Sequence, residues 1–215
     1  VVELYSVPLT GGTITKLNDT LVTGGNVISF AISPDSSRVV YRSDQDTDGV
    51  VELYSVPLTG GTITKLNAVE INGDVLSYAI SRDSSRVVYI ADQDTNGVFE
   101  LYSVPLTGGS VTKLNTTLVA GRSVGTFSIS PDSSRVVYIA DQDTDGVVEL
   151  YSVPLTGGTA TKLNTALVAG GNVISISISP DSSRVVYRAD QATDAVNELY
   201  SVPLTGGSVT KLNTT

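Results

Sequence analysis

The 215-residue sequence lacks four residue types altogether, because it contains no cysteine, histidine, methionine or tryptophan. Without cysteine and histidine, the chain has no disulfide, no thiolate or imidazole metal ligand and no cysteine nucleophile. A Ser-His-Asp relay contained within this chain is excluded for the same reason. These absences remove most familiar active sites, and we predict that the chain is not an enzyme.

Positive charge is scarce as well, since 13 Lys and Arg side chains stand against 22 Asp and Glu, a formal net charge of −9. Nucleic-acid binding requires a cationic surface, so we expect no nucleic-acid partner. No apolar run approaches the ~18 residues of a membrane-spanning helix. No signal peptide opens the sequence, which begins at Val1 without a methionine. We interpret the sequence as a mature portion or an excised segment, and its Thr/Ser/Asp-rich composition favours an extracellular or periplasmic location.

Internal repetition dominates what is present. The decapeptide Glu-Leu-Tyr-Ser-Val-Pro-Leu-Thr-Gly-Gly occurs five times, starting at Glu3, Glu52, Glu100, Glu149 and Glu198. A second string, Asp-Ser-Ser-Arg-Val-Val-Tyr, occurs four times, starting at Asp35, Asp83, Asp132 and Asp181. Successive copies lie 48 or 49 residues apart, so one structural unit recurs along the chain.

Apolar residues alternate with a period of two within each repeat, which predicts short half-buried strands rather than helices. In the first repeat we expect strands over 27–33, 38–43, 51–58 and 62–66. Four antiparallel strands repeated at nearly 50 residues are typical of a propeller blade. We therefore predict an all-β fold, a β-propeller of four-stranded antiparallel blades in which 1–215 is a single propeller domain or propeller segment. The four complete blades cover about 26–67, 75–114, 123–163 and 172–213. The N-terminal half blade is an orphan outer hairpin at 1–18.

The sequence also resembles a known repeat family. Ser-Pro-Asp-Ser-Ser-Arg-Val-Val-Tyr at 33–41, with near copies at 81–89, 130–138 and 179–187, resembles the Ser-Pro-Asp-Gly signature of WD-like propeller repeats. Such repeats occur in TolB and in the propeller domains of prolyl oligopeptidase-type and tricorn-type peptidases. The resemblance covers the whole chain and implies the fold that the periodicity predicts. Two departures are visible: Ser36 stands where the family usually has glycine, and Arg82 replaces proline in the second copy.

Closure of the propeller is not determined by the repeats, because the chain has five copies of the outer hairpin and four of the inner strand pair. A small ring in which 1–18 competes for or covers one edge, a ring shared between chains, and a segment of a longer array are all compatible with this count. Near-identical copies favour the last two, because interchangeable blades can pair between chains. We expect a homo-oligomer formed by blade sharing.

The strongest chemical motif is an Asp-x-Asp-x-Asp-Gly loop in the first and third blades, which the second blade repeats with Asn96 in place of the third aspartate. Alternate carboxylates on a tight loop can converge on one centre, and hard oxygen ligands suit Ca²⁺. The loop resembles the calcium hairpin loops of integrin-type propellers, and the fourth copy is interrupted by Ala192 and Ala195. We predict structural Ca²⁺ sites formed by Asp44, Asp46, Asp48, Glu52, Asp92, Asp94, Asn96, Glu100, Asp141, Asp143, Asp145 and Glu149.

Two alternatives for these acids remain open. Asp-Gly between two strands is itself a favoured hairpin turn, so the loops can be solvated turns without metal. Paired carboxylates can also hydrolyse glycans. However, acids that recur in every blade suit a repeated structural role better than a single asymmetric site.

Three further repeated features have structural explanations. Two sets of tyrosines, represented by Tyr41 and Tyr54, are expected to pack in the core or between blades. The arginines equivalent to Arg38 are expected to pair with carboxylates or to cover apolar surface. The Gly-Gly pairs, such as Gly60-Gly61, join strand to strand with no helix following, which predicts turns rather than phosphate loops.

The copies differ most in 67–75, 114–123 and 163–172, the links between successive blades. In a propeller these links and the Asp-rich loops emerge on one face, where a protein or small-ligand partner is most readily recognised. We therefore predict a non-catalytic propeller that serves as a binding or scaffold module. The alternatives are a regulatory propeller of a larger peptidase, an engineered or excised repeat without its own ligand and, last, a glycan hydrolase.

Overall fold

The computed structural model describes residues 1–68, 73–116, 118 and 121–213. In that part of the chain every regular element is a β-strand. Within the same residues there is no helix that could cross a membrane.

The strands form one short hairpin and four four-stranded sheets. The hairpin, called here the N-terminal hairpin, consists of β1 (Tyr5–Ser6) and β2 (Thr15–Lys16). The first sheet contains β3 (Val27–Ile32), β4 (Arg38–Ser43), β5 (Glu52–Pro57) and β6 (Thr64–Lys65). The second contains β7 (Val75–Ile80), β8 (Arg86–Ala91), β9 (Glu100–Pro105) and β10 (Thr112–Lys113). The third contains β11 (Val124–Ile129), β12 (Arg135–Ala140), β13 (Glu149–Pro154) and β14 (Thr161–Lys162), and the fourth contains β15 (Val173–Ile178), β16 (Arg184–Ala189), β17 (Glu198–Pro203) and β18 (Thr210–Lys211).

The strands lie in chain order in every sheet, so each sheet is an up-and-down antiparallel meander. This confirms the predicted propeller fold with its four-stranded units and its separate N-terminal hairpin. The second strand of the first sheet has the predicted bounds, whereas the fourth covers only Thr64–Lys65 rather than 62–66. It is shorter because the turn before it, closed by a hydrogen bond from Gly60 N–H to the Pro57 carbonyl (2.8 Å), is followed by Gly61 with φ +127°.

The turn between the first two strands explains one departure from the family signature. Asp35 Oδ1 accepts hydrogen bonds from the Ser33 hydroxyl (2.6 Å) and from Ser37 N–H (3.0 Å). Between these residues Ser36 adopts φ 59°, in the left-handed region that favours glycine. Serine here therefore occupies a strained position that the family usually fills with glycine.

The chain divides into two compact units, Val1–Gly97 with Tyr102–Val111, and Val98–Leu101 with Thr112–Thr215. In the first unit, an apolar cluster of described residues joins the N-terminal hairpin, through Leu4 and Leu17, to the first sheet. Another packs Val40 and Leu53 of the first sheet against the second sheet. In the second unit, a cluster lies between the third and fourth sheets.

Candidate functional site

The Asp-rich loops connect the second strand of each sheet to the third, and the first aspartate of each loop is buried or half-buried. Asp44 Oδ1 accepts a hydrogen bond from Asn26 N–H (2.6 Å), and Oδ2 accepts one from Gly49 N–H (3.3 Å). Asp92 binds Asp74 N–H (2.6 Å) and Gly97 N–H (2.8 Å) in the same way. The first aspartate thus closes its own loop and fastens the preceding link to it.

The glutamate at the end of each loop is buried and paired with a lysine. Glu52 is 5% exposed and accepts hydrogen bonds from the Tyr54 hydroxyl (2.6 Å) and from Lys65 Nζ (2.5 Å). Burial, followed by the Glu52 carboxylate, raises the pKa of Tyr54 above its ordinary value. The charge of the glutamate is therefore balanced within the sheet.

The same glutamate arrangement recurs in the later sheets. Glu149 contacts Tyr151 and Lys162, and Glu100 contacts Lys113 and the backbone N–H of Leu118. These contacts neutralise the charge of each predicted glutamate ligand by means of a side chain from the fourth strand.

The second and third aspartates of each loop are exposed, together with Asn96. Asp46 lies 3.0 Å from Lys65 Nζ, and Asp143 lies 4.0 Å from Lys162 Nζ. At the tip of the third loop, Asp145 lies 3.8 Å from Arg122 Nε. Asp46, Asp143 and Asp145 therefore face a lysine or an arginine.

The predicted ligands of each loop consequently do not converge. Among the described residues, no group of three or more acidic side chains is placed to hold a metal ion. The first aspartate accepts hydrogen bonds from backbone N–H groups, and the glutamate contacts a lysine. The acids in the middle of the loop are exposed. These residues do not fit a calcium ion without rearrangement, and calcium binding stays a prediction.

The links between sheets lie directly against the Asp-rich loops. The N–H of Val22 donates to the Gln45 carbonyl (3.1 Å), and the N–H of Val168 donates to the Gln191 carbonyl (3.1 Å). In the third sheet, Ser123 N–H donates to Asp141 (2.9 Å). Each sheet thus presents a link and an Asp-rich loop at the same end. Residues 69–72, 117 and 119–120 of two links lie outside the described residues.

The link before the first sheet packs closely against the Asp-rich loop of that sheet, and this packing requires a glycine at position 24. Its φ is +94°, and a Cβ there would lie 2.5 Å from Asp48 Oδ1. The neighbouring Gly25 would place a Cβ 2.9 Å from the Asp44 carbonyl oxygen. In the first sheet, therefore, the glycine pair lets the link pass close to the loop tip.

Sequence reasoning missed an asparagine that closes every outer hairpin and is buried in all of them except the last. Asn67 Oδ1 accepts the N–H of Leu53 (2.9 Å), and Asn164 Oδ1 accepts the N–H of Leu150 (2.7 Å). The available signal was the asparagine of Lys-Leu-Asn, which is present in all five copies although the link after it varies.

The repeated tyrosines are core residues, as predicted. Tyr41 and Tyr54 stack with ring centroids 5.2 Å apart and exposures of 0% and 2%. The pairs in the other three sheets stack at 5.3–5.4 Å. Arg38, by contrast, donates to the Ser55 hydroxyl (2.6 Å) and carbonyl (3.2 Å), so its partner is a serine rather than a carboxylate.

The four repeated sheets, with a loop and a link at one end of each, define the chain as a β-propeller domain. A family model described as the lipoprotein LpqB β-propeller domain matches residues 3–215. The chain belongs to this family. No curated protein matches it.

Solved propellers share the fold at low sequence identity. A putative TolB from Agrobacterium tumefaciens is similar with a TM-score of 0.56 and 19% identity over 97% of this chain and 73% of that one. TolB from Acinetobacter baumannii is similar with a TM-score of 0.54 and 17% identity, over 99% of this chain and 49% of that one. Dipeptidyl peptidase 4 of Porphyromonas gingivalis is similar with a TM-score of 0.73 and 10% identity, over 94% of this chain and 35% of that one. At these identities the likeness shows the fold alone, and this chain spans only part of each neighbour.

Proposed function

We propose that this chain is a non-catalytic binding module that contacts a protein partner through the ends of its sheets where links and Asp-rich loops lie together. The observation that carries the proposal is the contrast between two kinds of segment. The second, third and fourth strands of the sheets are nearly invariant from copy to copy, whereas the links fastened to the loops differ. Variable loops on a rigid scaffold are the usual location of recognition.

The acids support binding better than catalysis. Glu52 and its equivalents are buried against lysines, and the arrangement recurs in every sheet instead of appearing once. A catalytic acid or base needs access to a substrate, and these glutamates are buried. The absence of histidine and cysteine from the sequence points in the same direction.

The exposed carboxylates indicate the chemistry of the partner. Asp46, Asp48, Asp143 and Asp145 stand at loop tips, in a chain whose formal net charge is −9. A partner surface rich in lysine and arginine would be attracted to these tips and oriented by them. Membership of a family described as a lipoprotein domain supports a location in the cell envelope, extracellular or periplasmic.

Site-specific photocrosslinking tests this proposal. A photoreactive residue replaces Thr144 at a loop tip or, as the control, Thr156 in the Gly-Gly turn of the same sheet. We expect one protein from the cell envelope to crosslink at position 144 but not at position 156. The crosslink should disappear in the double variant Asp143→Asn/Asp145→Asn. Equal crosslinking at the two positions, or none at Thr144, would contradict it.

Calcium is tested separately by thermal unfolding with Ca²⁺ and then with chelator. A site that binds only the folded form adds about 2.7 kcal/mol at ~100 times its dissociation constant. A rise that Asp141→Asn diminishes would establish the loops as metal sites. No rise would leave them as turns closed by backbone and lysine contacts.

A further inference from the structure

The N-terminal hairpin has an exposed apolar side. In each of the four sheets the third strand pairs with a second strand, whereas β1 pairs only with β2 among the described residues. Tyr5 and Val7 are 51% and 55% exposed, and beside them Phe30 and Ile32 of β3 are 60% and 52% exposed. These residues line an apolar groove of about 810 Å³.

The equivalent residues elsewhere show what covers such a groove. Tyr54, which corresponds to Tyr5, is 2% exposed because it pairs with Tyr41 of β4. Tyr78 and Ile80, which correspond to Phe30 and Ile32, pack against the cluster containing Val40 of β4.

The fourth sheet repeats this arrangement. Ile176 and Ile178 of β15 pack against the cluster containing Val137 of β12. In both places the cover includes the second strand of the preceding sheet, and that strand has the sequence Arg-Val-Val-Tyr. The groove therefore has the shape and chemistry of a seat for the first two strands of a sheet.

The hairpin is already arranged as it would be in a complete sheet. Leu4 N–H donates to Asn18 Oδ1 (2.7 Å), as Leu199 N–H donates to Asn213 Oδ1 (2.7 Å). Glu3 contacts Tyr5 and Lys16, as Glu198 contacts Tyr200 and Lys211. A preorganised surface loses little conformational freedom on binding.

Residues 3–12 and 198–207 are identical in sequence, so the N-terminal hairpin can make with β16 the same pairing that β17 makes. The hairpin β17–β18 is also the least covered outer hairpin of the complete sheets. Leu199 and Leu212 are 41% and 50% exposed, whereas Leu150 and Leu163 are 0% and 3% exposed, since the fourth sheet packs on them.

We propose that the groove is the docking surface for a second copy of this chain. The second copy supplies β15–β16, and the N-terminal hairpin of the first copy takes the place of β17–β18 on that strand pair. After the exchange, β16 is still paired with an outer hairpin, which now comes from the other copy. The exchange also adds a contact between β15–β16 and the side chains of Phe30 and Ile32. The contact is head-to-tail, because two different surfaces meet.

Engineered cysteines test the predicted register directly, since the chain contains no cysteine. Val186 pairs with Ser201 of its own sheet, so the exchange places it opposite Ser6 of the other copy. Chains carrying Ser6→Cys or Val186→Cys are unfolded in urea, mixed, refolded together and oxidised. We expect a covalent dimer that contains one chain of each kind.

Val137→Cys is the matched control for Val186→Cys. Val137 pairs with Ser152 in the same register, but its outer hairpin continues into β15 and cannot leave freely. We expect little dimer between Val137→Cys and Ser6→Cys chains. Equal yields with Val137→Cys and Val186→Cys, or no dimer with either, would overturn the proposal.

Sedimentation velocity over a range of concentrations supplies a second readout with unoxidised protein. We expect the native chain and Leu76→Lys to associate, and Phe30→Lys to raise the dissociation constant about tenfold or more. Leu76 is 51% exposed on β7, so it controls for the added charge. A native chain that is monomeric at every concentration would overturn the proposal, as would a dimer that Phe30→Lys leaves intact.

Discussion

The N-terminal hairpin and the outer hairpin β5–β6 contain the same decapeptide in two environments. Their polar contacts agree: Glu3 contacts Tyr5 and Lys16, as Glu52 contacts Tyr54 and Lys65. Their burial differs, because Tyr5 is 51% exposed and Tyr54 is 2% exposed. The comparison teaches that the hairpin itself forms its hydrogen bonds, whereas the neighbouring strand pair determines how deeply its apolar side chains are buried.

The largest expected effect comes from truncating the tyrosine in each environment. Tyr54→Ala removes a ring stacked on Tyr41 in the core and should reduce the free energy of unfolding by about 3–5 kcal/mol. Tyr5→Ala should cost less than about 1 kcal/mol at concentrations where the chain is monomeric. Urea denaturation of the two variants measures this difference, and equal losses would break the comparison.

Acid should weaken the complete sheets through a turn that the N-terminal hairpin lacks. Hydrogen bonds from Ser179, and then from Ser183, lower the pKa of Asp181 from 3.8 to about 2. A carboxyl with a lowered pKa stabilises the fold above about pH 4, and this contribution is lost as the pH falls towards about 2.

Asp181→Asn should therefore flatten the dependence of the melting temperature on pH between about 4 and 2. Thr193→Ser, at an exposed loop tip, is the control and should leave the slope unchanged, because it neither adds nor removes an ionisable group. Melting curves recorded from pH 2 to pH 6 measure both variants. An unaltered slope in Asp181→Asn would show that the turn is not the source of acid sensitivity.

A smaller effect is expected where the fourth Asp-rich loop differs from the first. Ala195 has φ 59° at the position where Gly49 has φ 79°. Since an L-residue in this region is strained by about 1 kcal/mol, Ala195→Gly should stabilise the chain by roughly that amount. Gly49→Ala should destabilise it similarly, and chemical denaturation would contradict the account if both changes had the same sign.

The smallest expected effect separates two serines with the same backbone conformation. Ser36 and Ser84 have φ 59° and 58°, but Ser84 Oγ also accepts the N–H of Asp35 (3.0 Å). Ser36→Gly should stabilise the chain by about 0.5 kcal/mol through relief of strain. Ser84→Gly should give no gain, because it loses a hydrogen bond worth about 1 kcal/mol. Melting temperatures that rise equally in the two variants would show that the contact between the turns contributes nothing.

Much of the fold could be predicted from the sequence because the repeat states the same pattern four times. Alternating apolar residues predicted the strands, because the side chains of a strand point to its two faces in turn. The repeated tyrosines predicted core positions on those strands. The exposure of Phe30 and Ile32 could not be predicted in the same way. The strand itself is ordinary, and only the packing of its neighbours leaves that face open.

The candidate site was predicted less completely, for a physical reason. Spacing identified Asp44 and Glu52 as acids on one loop, but it could not show which partner each carboxylate takes. Backbone N–H groups and Lys65 compete with a metal for the same oxygens, and that competition is decided by three-dimensional placement. The role of Asn67 was missed because its Oδ1 accepts the N–H of Leu53, which lies 14 residues away, and a local sequence pattern does not show such a contact.

Thiol labelling of two single-cysteine variants tests the central claim most directly. Ser6 and Ser55 occupy the same position of the identical decapeptide, so Ser6→Cys and Ser55→Cys differ only in what covers them. At low protein concentration we predict that Ser6→Cys reacts with a soluble disulfide reagent at least ~100-fold faster than Ser55→Cys, which is reached only by opening of the sheet. Equal labelling rates would contradict the claim that the neighbouring strand pair, and not the hairpin sequence, provides the cover.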